Sequence, residues 1–168
     1  MDRQSEKILI LGVGNELLRD EGLGVHVARS LLAMNPSLPS HVDVLEAGTS
    51  LLDVLPRMPL YSRVIIVDAV SAGKRAGGIH RIEATDELTG SFESGASVSL
   101  HEMGVAEALR VGAMMGLKPK NLLVIGAEPE RIEPGTELSP RLDRAARKII
   151  SMLLSEIGAV RIASAQRR

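Results

Sequence analysis

Two carboxylates and one imidazole, Glu21, Asp68 and His101, are of the types that hold a divalent cation or move a proton to and from water. Oxygen, oxygen and nitrogen donors together suit a borderline ion. Glu21 lies in the stretch Leu11-Gly-Val-Gly-Asn-Glu-Leu-Leu-Arg-Asp-Glu-Gly-Leu-Gly24, Asp68 ends the β-branched run Arg63-Val-Ile-Ile-Val67, and His101 follows a Ser/Gly-rich segment. No short motif links them, so only the fold can bring them together.

The stretch around Glu21 admits other readings. Gly12-x-Gly14 between an apolar run and a helical pattern resembles a dinucleotide fingerprint, with the pyrophosphate on a helix N-terminus and Glu46 in the place of the ribose-binding acid. However, the third glycine position is Leu17, and Asp20-Glu21 forms an acidic pair at the mouth that repels phosphate. A plain turn with acids favouring a helix N-terminus is the structural alternative. In an open α/β sheet, ligands bind outside the carboxyl ends of the strands, where Glu21 and Asp68 converge if their strands are neighbours.

The elements must therefore deliver these residues to one edge. Lys7 to Val13 reads as a strand buried on both faces, and a helix follows from about Leu23, closed at Asn35-Pro36. Val42 to Leu45 is a second strand; Thr49 or Ser50 is placed to cap a short helix through Leu55, stopped by Pro56; Arg63 to Val67 is a third strand. Gly78 to Glu83 alternates like a sheet-edge strand, and Glu87 to Leu100 reads as a long loop. A helix over His101 to Met115, a strand over Asn121 to Ile125 and an amphipathic helix over Leu138 to Ile157 complete the pattern. Alternating strands and helices predict a three-layer α/β/α sandwich around a mostly parallel, twisted sheet of about five strands. The 168 residues read as one domain, 1–168, with 158–168 a fraying tail.

Composition narrows the function. A net charge of −1 and one Phe, one Tyr and no Trp argue against nucleic acid, which needs a basic face and stacking platforms. Without cysteine there is no disulfide, thiol nucleophile or thiolate ligand. No Gly-x-Ser-x-Gly elbow is present either. The charged N-terminus and the lack of a long apolar span predict a cytoplasmic protein without a membrane partner.

Gly12-Val-Gly-Asn15, Asp20-Glu21-Gly22-x-Gly24, Val67-Asp68-Ala69, Ser99-Leu-His101-Glu and Gly126-Ala-Glu-Pro-Glu130, in this order, resemble the maturation endopeptidases of [NiFe]-hydrogenases. The resemblance implies a small monomeric protease that removes a C-terminal extension from the large-subunit precursor after nickel insertion. It also implies that Glu21, Asp68 and His101 contact the nickel, which the substrate carries and for which Zn or Cd substitutes in vitro. Ala76-Gly77-Gly78 stands where the family often has Pro-Gly, which predicts a looser turn. Glu16 takes no role from the resemblance.

Two chemistries stay open: a metal that polarises the scissile carbonyl or acidifies a bound water, and a carboxylate base, Asp68 by preference. Gly12, Gly14, Asn15 and Gly22 are candidate substrate-binding positions: Gly12 and Gly14 for close backbone approach, Gly22 for the sharp turn and Asn15 for fixing the loop. His26, His41 and His80 match no motif and are expected at the surface or partly buried, and Met114 and Met115 are expected to fill the core.

Overall fold

The computed structural model describes residues 7–34, 38–84 and 104–158. Its elements are β1 (Ile8–Val13), α1 (Leu23–Ala33), β2 (Val42–Gly48), β3 (Arg63–Ala69), β4 (Ile79–Ala84), α2 (Val105–Met114), β5 (Leu122–Ala127) and α3 (Pro140–Glu156). Short 3-10 helices occupy Arg19–Gly22 and Leu51–Leu60. The expected 87–100 loop, His101, Asn35-Pro36 and the tail from 159 onward lie outside the described residues.

The five strands form one sheet in the order β2-β1-β3-β5-β4, parallel except for β4, which runs antiparallel to β5. The predicted architecture is thus the observed one, with β4 at the edge where its alternation placed it. Alternate residues of the strands face two separate cores. Ile10, Ile65, Val67 and Leu123 pack under α1 and α3, whereas Leu9, Leu11, Val64 and Ile66 pack under α2 and the Leu51–Leu60 segment. Ile65, Ile66 and Val67 are fully buried, each contributing about 1.5–3 kcal/mol, and this anchorage holds rigid the strand that leads into Asp68.

The helix expected to stop at Pro56 continues through Pro56 and Pro59 to Leu60 as a 3-10 helix. Its tighter winding with shorter-range bonds accommodates prolines that would break an α-helix, and Ser50 supplies no cap but donates its hydroxyl to Asp53. No helix among the described residues is long and apolar enough to cross a membrane.

Candidate functional site

Neighbouring strands β1 and β3 send their connections in opposite directions, β1 towards β2 and β3 towards the other half of the sheet. The carboxyl ends of such a pair leave a crevice, which is where doubly wound sheets bind ligands. Here the crevice holds a cavity of about 130 Å³ lined by Val13, Gly14, Asn15, Glu21, Asp68 and the start of α2 at Gly104 and Val105. Glu21 and Asp68 therefore meet in one place, as their positions after β1 and at the end of β3 predicted. Among the described residues no group of three potential metal ligands forms; His101, the third candidate, lies outside them.

Asp68 pairs with Gly126 of β5 and shares the side-chain row of Val64 and Ile66, so its carboxyl enters the layer between sheet and α2. It is only 4% exposed. Burial pushes its pKa from 3.8 to about 8, against the pull of the Ala69 N–H that donates to Oδ1 at 2.8 Å, and the negative charge of Glu21 raises it further. At neutral pH the protonated form of Asp68 is therefore favoured.

The glycines divide. Gly14 lines the crevice at φ +137°, and any Cβ there would collide with the Glu21 carbonyl oxygen and stand 3.6 Å from Asp68 Oδ1. Gly12 instead faces α1, where a Cβ would fall 2.6 Å from that of Ala28, and Gly22 packs on Glu16, with a Cβ 2.8 Å from its Cα. Neither lines the cavity: both positions are closed by internal packing, a use of glycine that in sequence looks the same as ligand contact. Asn15 fixes its loop as expected, its Oδ1 accepting from Leu17 N–H at 3.0 Å.

The acidic pair of the sequence does not act as a pair. Glu21 faces the crevice, but Asp20 turns away from it into complete burial and accepts four hydrogen bonds from residues 130–139. Sequence reasoning missed this, and no local signal reveals partners 110 to 119 positions away.

Glu128 was likewise unassigned. Its carboxylate accepts from the N–H groups of Ala72, Gly73 and Lys74, tying down the loop that follows Asp68, and meets His80 Nε2 at 2.9 Å. Burial works to raise its pKa, but those amides and His80 together hold it below the ordinary value. His80, expected at the surface or partly buried, is thus a buried partner of Glu128. The Ala76-Gly77-Gly78 turn is also tighter than expected, because Gly77 N–H donates to Glu128 O at 2.7 Å and Glu128 N–H to Gly78 O at 2.9 Å.

His26 and His41 are partly exposed, as expected. Met114 and Met115 are 89% and 64% exposed, correcting the expectation of core filler: they lie where α2 ends, past the face that Val105, Ala108 and Leu109 bury. Glu46, weighed as a ribose-binding acid, instead accepts from Arg29, which also pairs with Glu16. With two acids at the crevice and Glu46 so occupied, the dinucleotide reading loses its support.

Fold and site together define an α/β/α protein of the doubly wound kind whose ligand crevice is lined by two acids, Glu21 and Asp68. The family described as hydrogenase maturation protease matches residues 25–156. The hydrogenase 2 maturation protease of Escherichia coli K12 is 32% identical over 90% of each chain, and the hydrogenase expression/formation protein HupD of Thiocapsa roseopersicina is 33% identical over 90% of this chain and 68% of that one. Among solved structures, the hydrogenase maturating endopeptidase HybD from E. coli superposes with a TM-score of 0.74 at 30% identity, covering 90% of this chain and 91% of that one. The HybD maturation protease from Thermococcus kodakarensis gives 0.73 at 25% identity over 90% and 99%. The chain belongs to the hydrogenase maturation protease family and is a hydrolase of the endopeptidase class.

Proposed function

We propose that this protein removes the C-terminal extension of a [NiFe]-hydrogenase large-subunit precursor once nickel is in place, reading the substrate-bound nickel through Glu21, Asp68 and His101. The observation that carries this reading is the meeting of Glu21 and Asp68 in one buried crevice, with Asp68 driven towards its protonated form. A cation entering there would take the place of the Asp68 proton, so the carboxylate that serves as ligand or base would be favoured when the metal is present. That would make hydrolysis depend on nickel loading. His101 precedes Gly104, a crevice residue, by three positions, and three residues reach no further than about 11 Å.

In the hydrolytic step the water oxygen bonds to the scissile carbonyl carbon, the C–N bond breaks, and the proton lost by the water passes through the Asp68 carboxylate to the leaving amine. Oxygen and imidazole ligands compete weakly with the thiolates of a substrate for nickel, so the chain inspects the ion without extracting it. Zn²⁺ or Cd²⁺ is expected to take the place of nickel in binding assays. The protein is further proposed to act as a cytoplasmic monomer with neither nucleic acid nor membrane as partner.

The test is mass spectrometry of nickel-loaded and nickel-free precursor incubated with the protein. The expected result is loss of a C-terminal peptide from the loaded precursor alone, abolished in Asp68→Asn. Full processing by Asp68→Asn would remove Asp68 from the mechanism, and stable binding at unchanged mass would make the protein an adaptor instead.

A further inference from the structure

The mechanism above makes no use of Asp20, although this carboxylate is fully buried beside Glu21. Its Oδ1 accepts from Ser139 N–H at 2.7 Å. Its Oδ2 accepts from Glu130 N–H at 2.8 Å, Arg131 N–H at 2.7 Å and the Ser139 hydroxyl at 2.9 Å. Further main-chain bonds join the same two segments: Arg19 N–H to Gly135 O at 2.8 Å, Gly135 N–H to Leu17 O at 2.9 Å and Asp20 N–H to Arg131 O at 3.2 Å. Between them the chain is strained, because Arg19, at φ +48°, is the one non-glycine residue with positive φ among the described residues. Such a conformation persists only where its surroundings over-determine it, and it occurs most often at functional sites.

We propose that Asp20 is a positioning residue, and that its grip on residues 130–139 holds the strained 19–22 turn so that Glu21 points at Asp68. The inference rests on the proposed function of the crevice and extends the catalytic apparatus to a segment that contributes no residue to the cavity lining. Every one of these partners of Asp20 is a donor, so the site is built for a side chain with two accepting oxygens. An amide is the same size but turns one acceptor into a donor, and whichever oxygen it replaces then faces an N–H or O–H. The Ser139 hydroxyl links the turn to α3 as well, since Oγ accepts from Leu142 N–H at 3.4 Å at the start of that helix.

The experiment compares wild type, Asp20→Asn, Ser139→Ala and, as a control for lost stability alone, Leu153→Ala in the buried face of α3. Each is measured for thermal stability, for kcat and KM on nickel-loaded precursor, and for Cd²⁺ affinity by calorimetry well below the melting temperature. Asp20→Asn is expected to lower kcat and Cd²⁺ affinity about tenfold or more with KM nearly unchanged, as loss of an orienting partner does. Leu153→Ala should lose stability while keeping both functional values. Wild-type kcat and Cd²⁺ affinity in a folded Asp20→Asn overturn the proposal, even if that variant melts earlier. Should Asp20→Asn fail to fold, Ser139→Ala decides: a loss in both readouts that Leu153→Ala does not show supports the clamp, and wild-type values overturn it. A wild-type protein that cleaves nothing refutes the proposed function, while the Cd²⁺ comparison still judges the clamp. No Cd²⁺ binding by the wild type sinks both.

Discussion

Asp68→Asn should do more than stop proteolysis; it should make the protein more stable, by an amount set by pH. The substitution keeps an oxygen to accept from Ala69 N–H but removes the titration. In the unfolded chain the Asp68 carboxyl has its ordinary value of 3.8, and in the folded protein burial pushes it to about 8, with Glu21 contributing. Below pH 3.8 both states are protonated and ionisation costs the folded protein nothing. Between 3.8 and 8 the unfolded chain releases a proton that the folded one retains, so stability falls by about 1.4 kcal/mol for each pH unit. Above 8 the full gap persists, on the order of 5 kcal/mol, a large fraction of a typical domain's stability. Stability from a raised pKa is thus complete in acid and lost as pH rises through the folded value.

The asparagine variant lacks this loss. Urea unfolding followed by circular dichroism at pH 4, 6, 8 and 9 should show the variant near wild type at pH 4, pulling ahead through pH 8 and level thereafter. Titrations common to both proteins cancel in the difference. A stability difference that stays flat across this range would show that Asp68 is ionised in the folded crevice, and the argument from burial would be wrong.

Gly14→Ala should abolish processing and Cd²⁺ binding and cost about 2 kcal/mol or more, because φ +137° and the Glu21 carbonyl leave no room for a Cβ; wild-type activity and melting would refute the close approach. Glu128→Gln should loosen the 72–74 loop and melt below wild type at neutral pH. Since the Glu128 pKa is depressed, its stabilisation is present above 4.5 and lost as pH falls through the folded value, so the gap between variant and wild type should close in acid. A gap unchanged from neutral to acid pH would mean the carboxylate charge does not matter there.

Much of the fold was legible because burial writes itself into composition. A strand covered on both faces needs an unbroken apolar run, and Ile8–Val13 and Arg63–Ala69 contain one; the edge strand Ile79–Ala84 carries only two large apolar residues, Ile79 and Ile82, one against each core. The convergence of Glu21 and Asp68 followed from the same logic, as Asp68 ends one strand predicted to be parallel and Glu21 lies in the turn that follows its neighbour. Less legible were residues whose role depends on what approaches from elsewhere. Met114 fits a helical apolar pattern yet faces solvent at the helix end, and Gly12 looks like a ligand-contact glycine yet is shut against α1.

Asp20 and Glu21 mark the boundary between the two kinds of information. By itself the sequence determined that two acids follow β1 in a turn before α1, because the apolar periodicity stops and restarts around them. Which of them faces the crevice was decided only by the tertiary structure. Four donors from residues 130–139 converge on one carboxylate, and their positions depend on how β5 and α3 pack against a sheet begun more than a hundred residues earlier. Side-chain chemistry is local, but the field of donors that selects between two neighbouring carboxylates is not.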